Sequence, residues 1–447
     1  MNKERSRRGV AEDGDVRAAL DWLLSVERNP KDLLERIRVA QTYYCDNSAP
    51  VNSRWPQMSA LLLKQDLIAG YLAQVDAFLN DRRAYDLLLG SKIVPFFKHI
   101  GLGIGELAKI PGATTRARRL LRPNGEHPDG GIFELVAAVR YAREEFDVEF
   151  IPEATERAAD MRLGAGGLDK FMHVECKRLR PSVYELRETA NAMELFKPME
   201  DLVHRRRLNM HLDVNFKVEL SSVPKNYLVD RAISAITSPI LLSGGYPWRD
   251  EYAEGLITTA SLHEVRADIV ESSLIVGSKM ARLLCGRRVS EGTYFLALSA
   301  EARPDDPRFI DSVDFASVVT WQCSSDSSVN ARARHIRSKL ADIDRQMKTA
   351  EMGIVHIGMD AERDSGTADL RRSRNLEAVR SFRAASNTVE LNLHYFLARV
   401  TESTAWTIDE TVDWNSRLGE ALLDDPRLLM GATEIDSEIA AWHLPPP

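Results

Sequence analysis

Between Asp15 and about Leu121, apolar residues return every three or four positions, as in DVRAALDWLLSVE, DLLERIRVAQTYY, SALLLKQDLIAGYLAQVDAFL and TTRARRLLR. That repeat is the signature of amphipathic helices. The rhythm breaks at RPNGEHPDGG, Arg122 to Gly131, a turn-rich stretch that predicts a boundary. GIFELVAAVRYAREEF, Gly131 to Phe146, predicts one more helix, and DVEFI, ADMRL and FMHVECKR follow as three extended segments. GAGGLDK joins the second to the third, which predicts a hairpin. Pro181 opens a helix over PSVYELRETANAMELF with Val183, Leu186, Ala190 and Met193 on one side, and LDVNFKVEL, Leu212 to Leu220, predicts a further strand. Downstream, TYFLALSA, FASVVTWQC, GIVHIGM, VELNLHYFLARV and WTIDETVDW read as strands, with helices over Val329–Ala350 and Leu370–Ala385. These either extend the central sheet or form a separate α/β domain. The expected organisation is an all-helical N-terminal region over residues 1–125, with a mixed-charge tail at 1–14. An α/β core over 126–222 follows, in the order helix–strand–strand–strand–helix–strand, and then a mixed α/β region over 223–447.

One strand of that core carries charge where a half-buried strand needs none. In FMHVECKRLRP, Phe171 to Pro181, Met172, Val174 and Cys176 share one face, while Phe171, His173, Glu175 and Lys177 share the other. Glu175 and Lys177 then lie side by side, roughly 6–7 Å apart at Cα from the strand rise. A surface ion pair would satisfy this pattern at little energetic value. The alternative is a site that needs both charges, and two further acids point to it. Asp160 begins ADMRL, the hairpin partner of this strand, and Glu134 is the lone acid among Ile132, Phe133, Leu135 and Val136. Each has a structural alternative as well: an acid in a first helical turn suits the helix dipole, and Asp160 could cap a turn.

Composition narrows the function classes. The 447 residues are enough for two or three domains, and 44% hydrophobic with 28% charged residues is ordinary for a soluble globular protein. A net charge of −7 argues against a polyanion-coated protein but leaves room for a local basic groove. Four scattered cysteines without a CxxC pair fit a reducing cytoplasm and oppose a zinc knuckle or disulfide scaffold. There is no apolar h-region at the N-terminus and no run of about 20 apolar residues, so neither secretion nor a membrane partner is expected. Walker A, HExxH and GxSxG patterns do not occur, which removes ATP-driven and serine-hydrolase readings. GLGIGELAKIPGATTRARRLL, Gly101 to Leu121, fails as a dinucleotide loop. As a helix-hairpin-helix it has an LAKIPG turn before a basic helix but lacks the second glycine.

Glu134, then Ala159-Asp160, then Glu175-Cys176-Lys177, in that order of elements, resemble the PD-(D/E)XK nuclease superfamily with its restriction-endonuclease-like fold. Alanine stands at 159 where the motif has proline. The resemblance spans about a fifth of the chain. It implies that Asp160 and Glu175 bind magnesium (manganese as a substitute), that Glu134 completes the metal site, and that Lys177 positions or activates the attacking water. Magnesium is a hard ion that takes one or two carboxylates and keeps several waters, which suits such a donor set. Basic residues beside the motif, Arg178 and Arg180, with Arg205 and Arg206 in HRRR one helix later, would hold phosphates on either side of a scissile bond. The expectation is thus a magnesium-dependent nuclease acting on nucleic acid, most readily DNA, in defence or repair. A homo-oligomer is left open. Its rival is the same core without catalysis, serving as a binding module in a larger assembly.

Overall fold

The structure, a computed structural model, describes residues 14–47, 66–81, 85, 87–123, 127–152, 158–164, 171–271, 278–286, 293–304, 310–361, 366–399, 407–417 and 429–430. The expected N-terminal tail falls outside these residues except for Gly14, and the GAGGLDK turn falls outside except for Gly164. The described chain is mixed α/β with two mixed sheets.

Among the described residues seven helices come first: α1 (Gly14–Val26), α2 (Pro30–Asn47), α3 (Leu67–Asn80), α4 (Leu87–Leu102), α5 (Ile104–Leu107), α6 (Ala113–Leu120) and α7 (Pro128–Arg143). Their starts are chemically marked. The Asp66 side chain accepts from Ala69 N ahead of α3, and His127 accepts from Asp129 N ahead of α7, whose first residue is Pro128. The turn-rich stretch before α7 does not interrupt packing. One apolar cluster runs from Val16 and Leu23 through Phe78, Phe97 and Leu121 to Phe133, Val136, Met161, Val174 and Cys176. The helical region is therefore the cover of one sheet face.

That sheet comprises β1 (Asp147–Phe150), β2 (Met161–Gly164), β3 (Met172–Arg178), β9 (Gly353–Asp360), β10 (Thr388–Arg399) and β11 (Thr407–Ser416), in that spatial order. β1, β2 and β3 form an antiparallel meander, which bears out the hairpin pairing of ADMRL with FMHVECKR. β3, β9 and β10 run parallel, and β11 closes antiparallel to β10. On the face away from α7, Val355, Ile357, Leu391 and Leu393 pack with Ile336 and Leu340 of α12 (Asp326–Gln346) and Val379 of α13 (Gly366–Ser381).

The strand expected to complete the core joins a different sheet. β4 (Met210–Phe216) pairs with β6 (Ala253–Thr259) and β8 (Ile310–Cys323) in a second sheet, ordered β5-β6-β4-β8-β7, with β5 at Tyr246–Arg249 and β7 at Tyr294–Ala302. The chain reaches that sheet along α8 (Val183–Arg206), opened by a capping box between Ser182 and Glu185. It returns along α12, so the place beside β3 falls to β9. Residues 179–352 are thus an insertion between two neighbouring strands. α8 also turns a different face inward. Glu188, Ala192, Leu195, Phe196 and Met199 are buried, whereas Val183 and Leu186 are 73% and 61% exposed. Among the described residues no helix is long and apolar enough to cross a membrane.

Candidate active site

β2 stops pairing at Met161↔Val174, and the next residue back, Asp160, stands level with Glu175 on the same face if the register is continued. Its backbone is fixed from both sides: Asp160 N donates to Val174 O at 3.0 Å, and Ile151 N donates to Asp160 O at 3.0 Å. Its Oδ2 accepts from Cys176 N at 2.8 Å. The carboxylate is thereby clamped to the backbone of the strand that carries Glu175 and Lys177. Glu134, in the second turn of α7, is brought to the same point by Arg116 of α6. Arg116 Nε lies 3.1 Å from Glu134 Oε2, and its terminal nitrogen lies 3.2 Å from Asp160 O and 3.4 Å from Asp160 Oδ1. The sequence-derived acids and lysine converge, and Arg116 joins them.

Burial sets the electrostatics. Sequence alternation predicts a water-facing Glu175, but it is 0% exposed. Its neighbour in the parallel ladder is Val355, and that face of the sheet is covered by α12 and α13. Lys177 Nζ is 2.6 Å from Glu175 Oε1, while Glu175 Oε2 has no hydrogen-bond partner among the described residues. Burial, with Asp160 close by, pushes the Glu175 carboxyl up to about 8, against the opposing pull of Lys177 and Arg116. Burial likewise lifts Glu134 well above the usual carboxylate range, aided by Asp160 and opposed by Arg116, Lys177 and Arg119. For Lys177 burial pulls downward, but Glu175, Asp160 and Glu134 carry its ammonium above the ordinary value. Lys177 is therefore held cationic at neutral pH, suited to stabilising charge rather than abstracting a proton. Cys176 points to the α7 side and is buried; desolvation and the three acids keep its thiol protonated.

This donor set suits a hard divalent cation: carboxylate oxygens on neighbouring strands, one of them buried without a hydrogen-bond donor among the described residues. Among the described residues, no three acid, histidine or cysteine side chains are already gathered to hold an ion, and Glu134 and Asp160 both contact Arg116.

The basic residues divide. Arg180 is exposed just past the strand. Arg178 is half-buried: it pairs with Asp360, and its guanidinium stacks over Phe396 at 4.9 Å and Phe96 at 5.9 Å. It holds β3 to β9 and α4. Arg205 and Arg206 are exposed but end the 24-residue α8, roughly 35 Å along its axis from the strand. They do not belong to this cluster. Arg116 was visible to sequence reading only as part of a basic helix, since nothing local identifies the carboxylates it meets.

A second buried polar group lies one strand away. Tyr141 Oη is 2.7 Å from His356 Nε2, His356 Nδ1 is 2.7 Å from His394 Nε2, and His394 Nδ1 is 2.6 Å from Glu410 Oε1. Glu410 also accepts from the amides of Leu429 and Met430 at 3.1 and 2.7 Å. One direction serves every atom of this hydrogen-bonded chain: Tyr141 donates to His356, His356 to His394, and His394 to Glu410. Burial, then His394, drives His356 well below its ordinary pKa.

No protein-family model, curated protein or solved structure matches this chain.

Proposed function

We propose that the chain is a metal-dependent nuclease of the PD-(D/E)XK type that hydrolyses phosphodiester bonds, with DNA as its substrate. The observation that carries this reading is the meeting of Glu134, Asp160, Glu175 and Lys177 at one strand end, with Glu175 fully buried and one of its oxygens lacking a donor among the described residues. An unsatisfied buried carboxylate is costly to a fold and is characteristic of sites that bind a cation. The arrangement of elements supports the same reading: α7, the β1–β2–β3 meander, then a crossover through α12 to a parallel neighbour, β9.

Asp160 and Glu175, with Glu134, would hold magnesium. When bound, that ion supplies Lewis-acid polarisation of the phosphodiester and neutralises developing charge. Lys177, kept cationic by the acids around it, would orient the attacking water and stabilise negative charge on the phosphoryl oxygens. Arg180, exposed beside the site, would hold a flanking phosphate.

The test is cleavage of DNA and RNA with magnesium or manganese, against chelator and against calcium, which holds phosphate but activates water poorly. Asp160→Asn and Lys177→Ala should lose turnover by orders of magnitude while circular dichroism stays unchanged. Nucleic-acid binding without cleavage under any divalent ion would instead assign the fold to a binding module.

A further inference from the structure

Arg116 occupies the oxygens that a cation would need. Its side chain is 9% exposed and spans two carboxylates, Glu134 Oε2 at 3.1 Å and Asp160 Oδ1 at 3.4 Å. The helix that presents it is pinned in place. Gly112, just before α6, has φ +85°, and a Cβ there would meet Phe150 Cβ at 2.8 Å, so α6 sits directly on β1. The guanidinium itself lies over the Phe150 ring at 5.4 Å. The contacts to Glu134 and to Asp160 are both longer than the usual charge-assisted hydrogen bond.

We propose that Arg116 is a stand-in counter-ion: Glu134 and Asp160 hold it until a divalent cation arrives, and the freed guanidinium then binds the scissile phosphate. The proposal rests on the nuclease reading. Its logic is charge and space. Arg116 and Lys177 each set a fixed positive charge among the acid side chains, Arg116 against Glu134 and Asp160 and Lys177 against Glu175. Arginine cannot relieve the cluster by losing its own proton. A small cation requires the same lone pairs at about 2 Å and repels the guanidinium, so the two compete. A phosphodiester entering with the cation brings back a negative charge with oxygens that match the guanidinium fork. Cation and nucleic acid should therefore bind cooperatively, with Arg116 coupling the two.

The experiment is calcium titration by calorimetry on the full chain, with and without a short duplex oligonucleotide, for wild type, Arg116→Gln and Arg116→Lys. Without DNA, Arg116→Gln should bind calcium about tenfold more tightly than wild type, and DNA should raise its calcium affinity less than it raises that of wild type. Arg116→Lys, which retains charge but cannot span both acids, should fall between them and serves if the glutamine variant does not fold. A merely structural arginine predicts the opposite sign, because disordering the acids weakens calcium binding. Equal or weaker calcium binding by the folded variants overturns the proposal and leaves the nuclease reading standing. Absence of calcium, magnesium and manganese binding in wild type and variants alike overturns both.

Discussion

Replacing Glu175 by glutamine is expected to make the metal-free protein more stable at neutral pH. The carboxyl is 0% exposed and is lifted from 4.5 to about 8 by burial and by Asp160. In the unfolded chain it loses its proton near 4.5, so between that pH and about 8 the folded state holds a proton that the unfolded state has released. The stability this group contributes is therefore full in acid and is lost as the pH rises through that window. At pH 7 the displacement amounts to about 2.5 pH units, or roughly 3 kcal/mol. Glutamine has the same shape and no charge to desolvate. Lys177 loses its partner but is 36% exposed, so water takes over its solvation. A buried amide with incomplete hydrogen bonding returns about 1 kcal/mol of the gain, leaving a net stabilisation of about 2 kcal/mol at pH 7. Urea unfolding in chelator at pH 5, 7 and 8 measures it. The advantage of Glu175→Gln should grow with pH across that series. A variant less stable than wild type at pH 7 and 8, or an advantage independent of pH, would refute the argument that this carboxylate is held against its solvation.

His356 titrates in the other direction: its folded pKa lies well below the ordinary 6.5, so the stability it contributes is present above that pH and is lost as the pH falls below it. Unfolding at pH 7.5 and 5.0 should register a loss of stability at the lower pH from this group, and His356→Asn should flatten that part of the profile. Arg178→Ala should cost about 2 kcal/mol of stability, because it strips a half-buried cation from Asp360 and from two aromatic faces. Arg180→Ala should leave the melt unchanged and lower the salt slope of nucleic-acid binding by about one. A salt titration in which the two arginines exchange roles would contradict their placement.

Much of the core was legible because its signals are local. Alternation of Met172, Val174 and Cys176 against His173, Glu175 and Lys177 is sufficient to mark β3, and it places Glu175 and Lys177 on one side of it. The run GIVHIGM reads as a strand buried on both faces, as β9 is. The unreadable parts are those decided at a distance. β4 alternates as cleanly as β3, with Met210, Leu212, Val214 and Phe216 inward, and nothing in that pattern states which sheet it joins. The burial of Glu175 depends on α12 and α13, which lie far along the chain. Arg178 and Arg180 look equivalent two residues apart; only the position of Asp360 and the phenylalanines separates a structural cation from an exposed one. α8 misled in a different way. Its first turn bears Val183 and Leu186 outward, so an apolar row there did not mark the packed face.

The insertion between β3 and β9 has a consequence in time. A ribosome adding roughly 5–20 residues each second delivers all four of Glu134, Asp160, Glu175 and Lys177 on the order of ten to thirty seconds before it delivers the strand that flanks them. Through that interval the edge of β3 has no neighbour, and Glu175 still faces water instead of Val355. An exposed edge of this kind invites pairing with other chains, so the second sheet and its helices must fold promptly to bring α12 back into reach. The same order of events makes the cluster silent in unfinished products. A fragment ending before residue 353 carries every acid and the lysine, yet lacks the wall that gives Glu175 its unusual proton affinity.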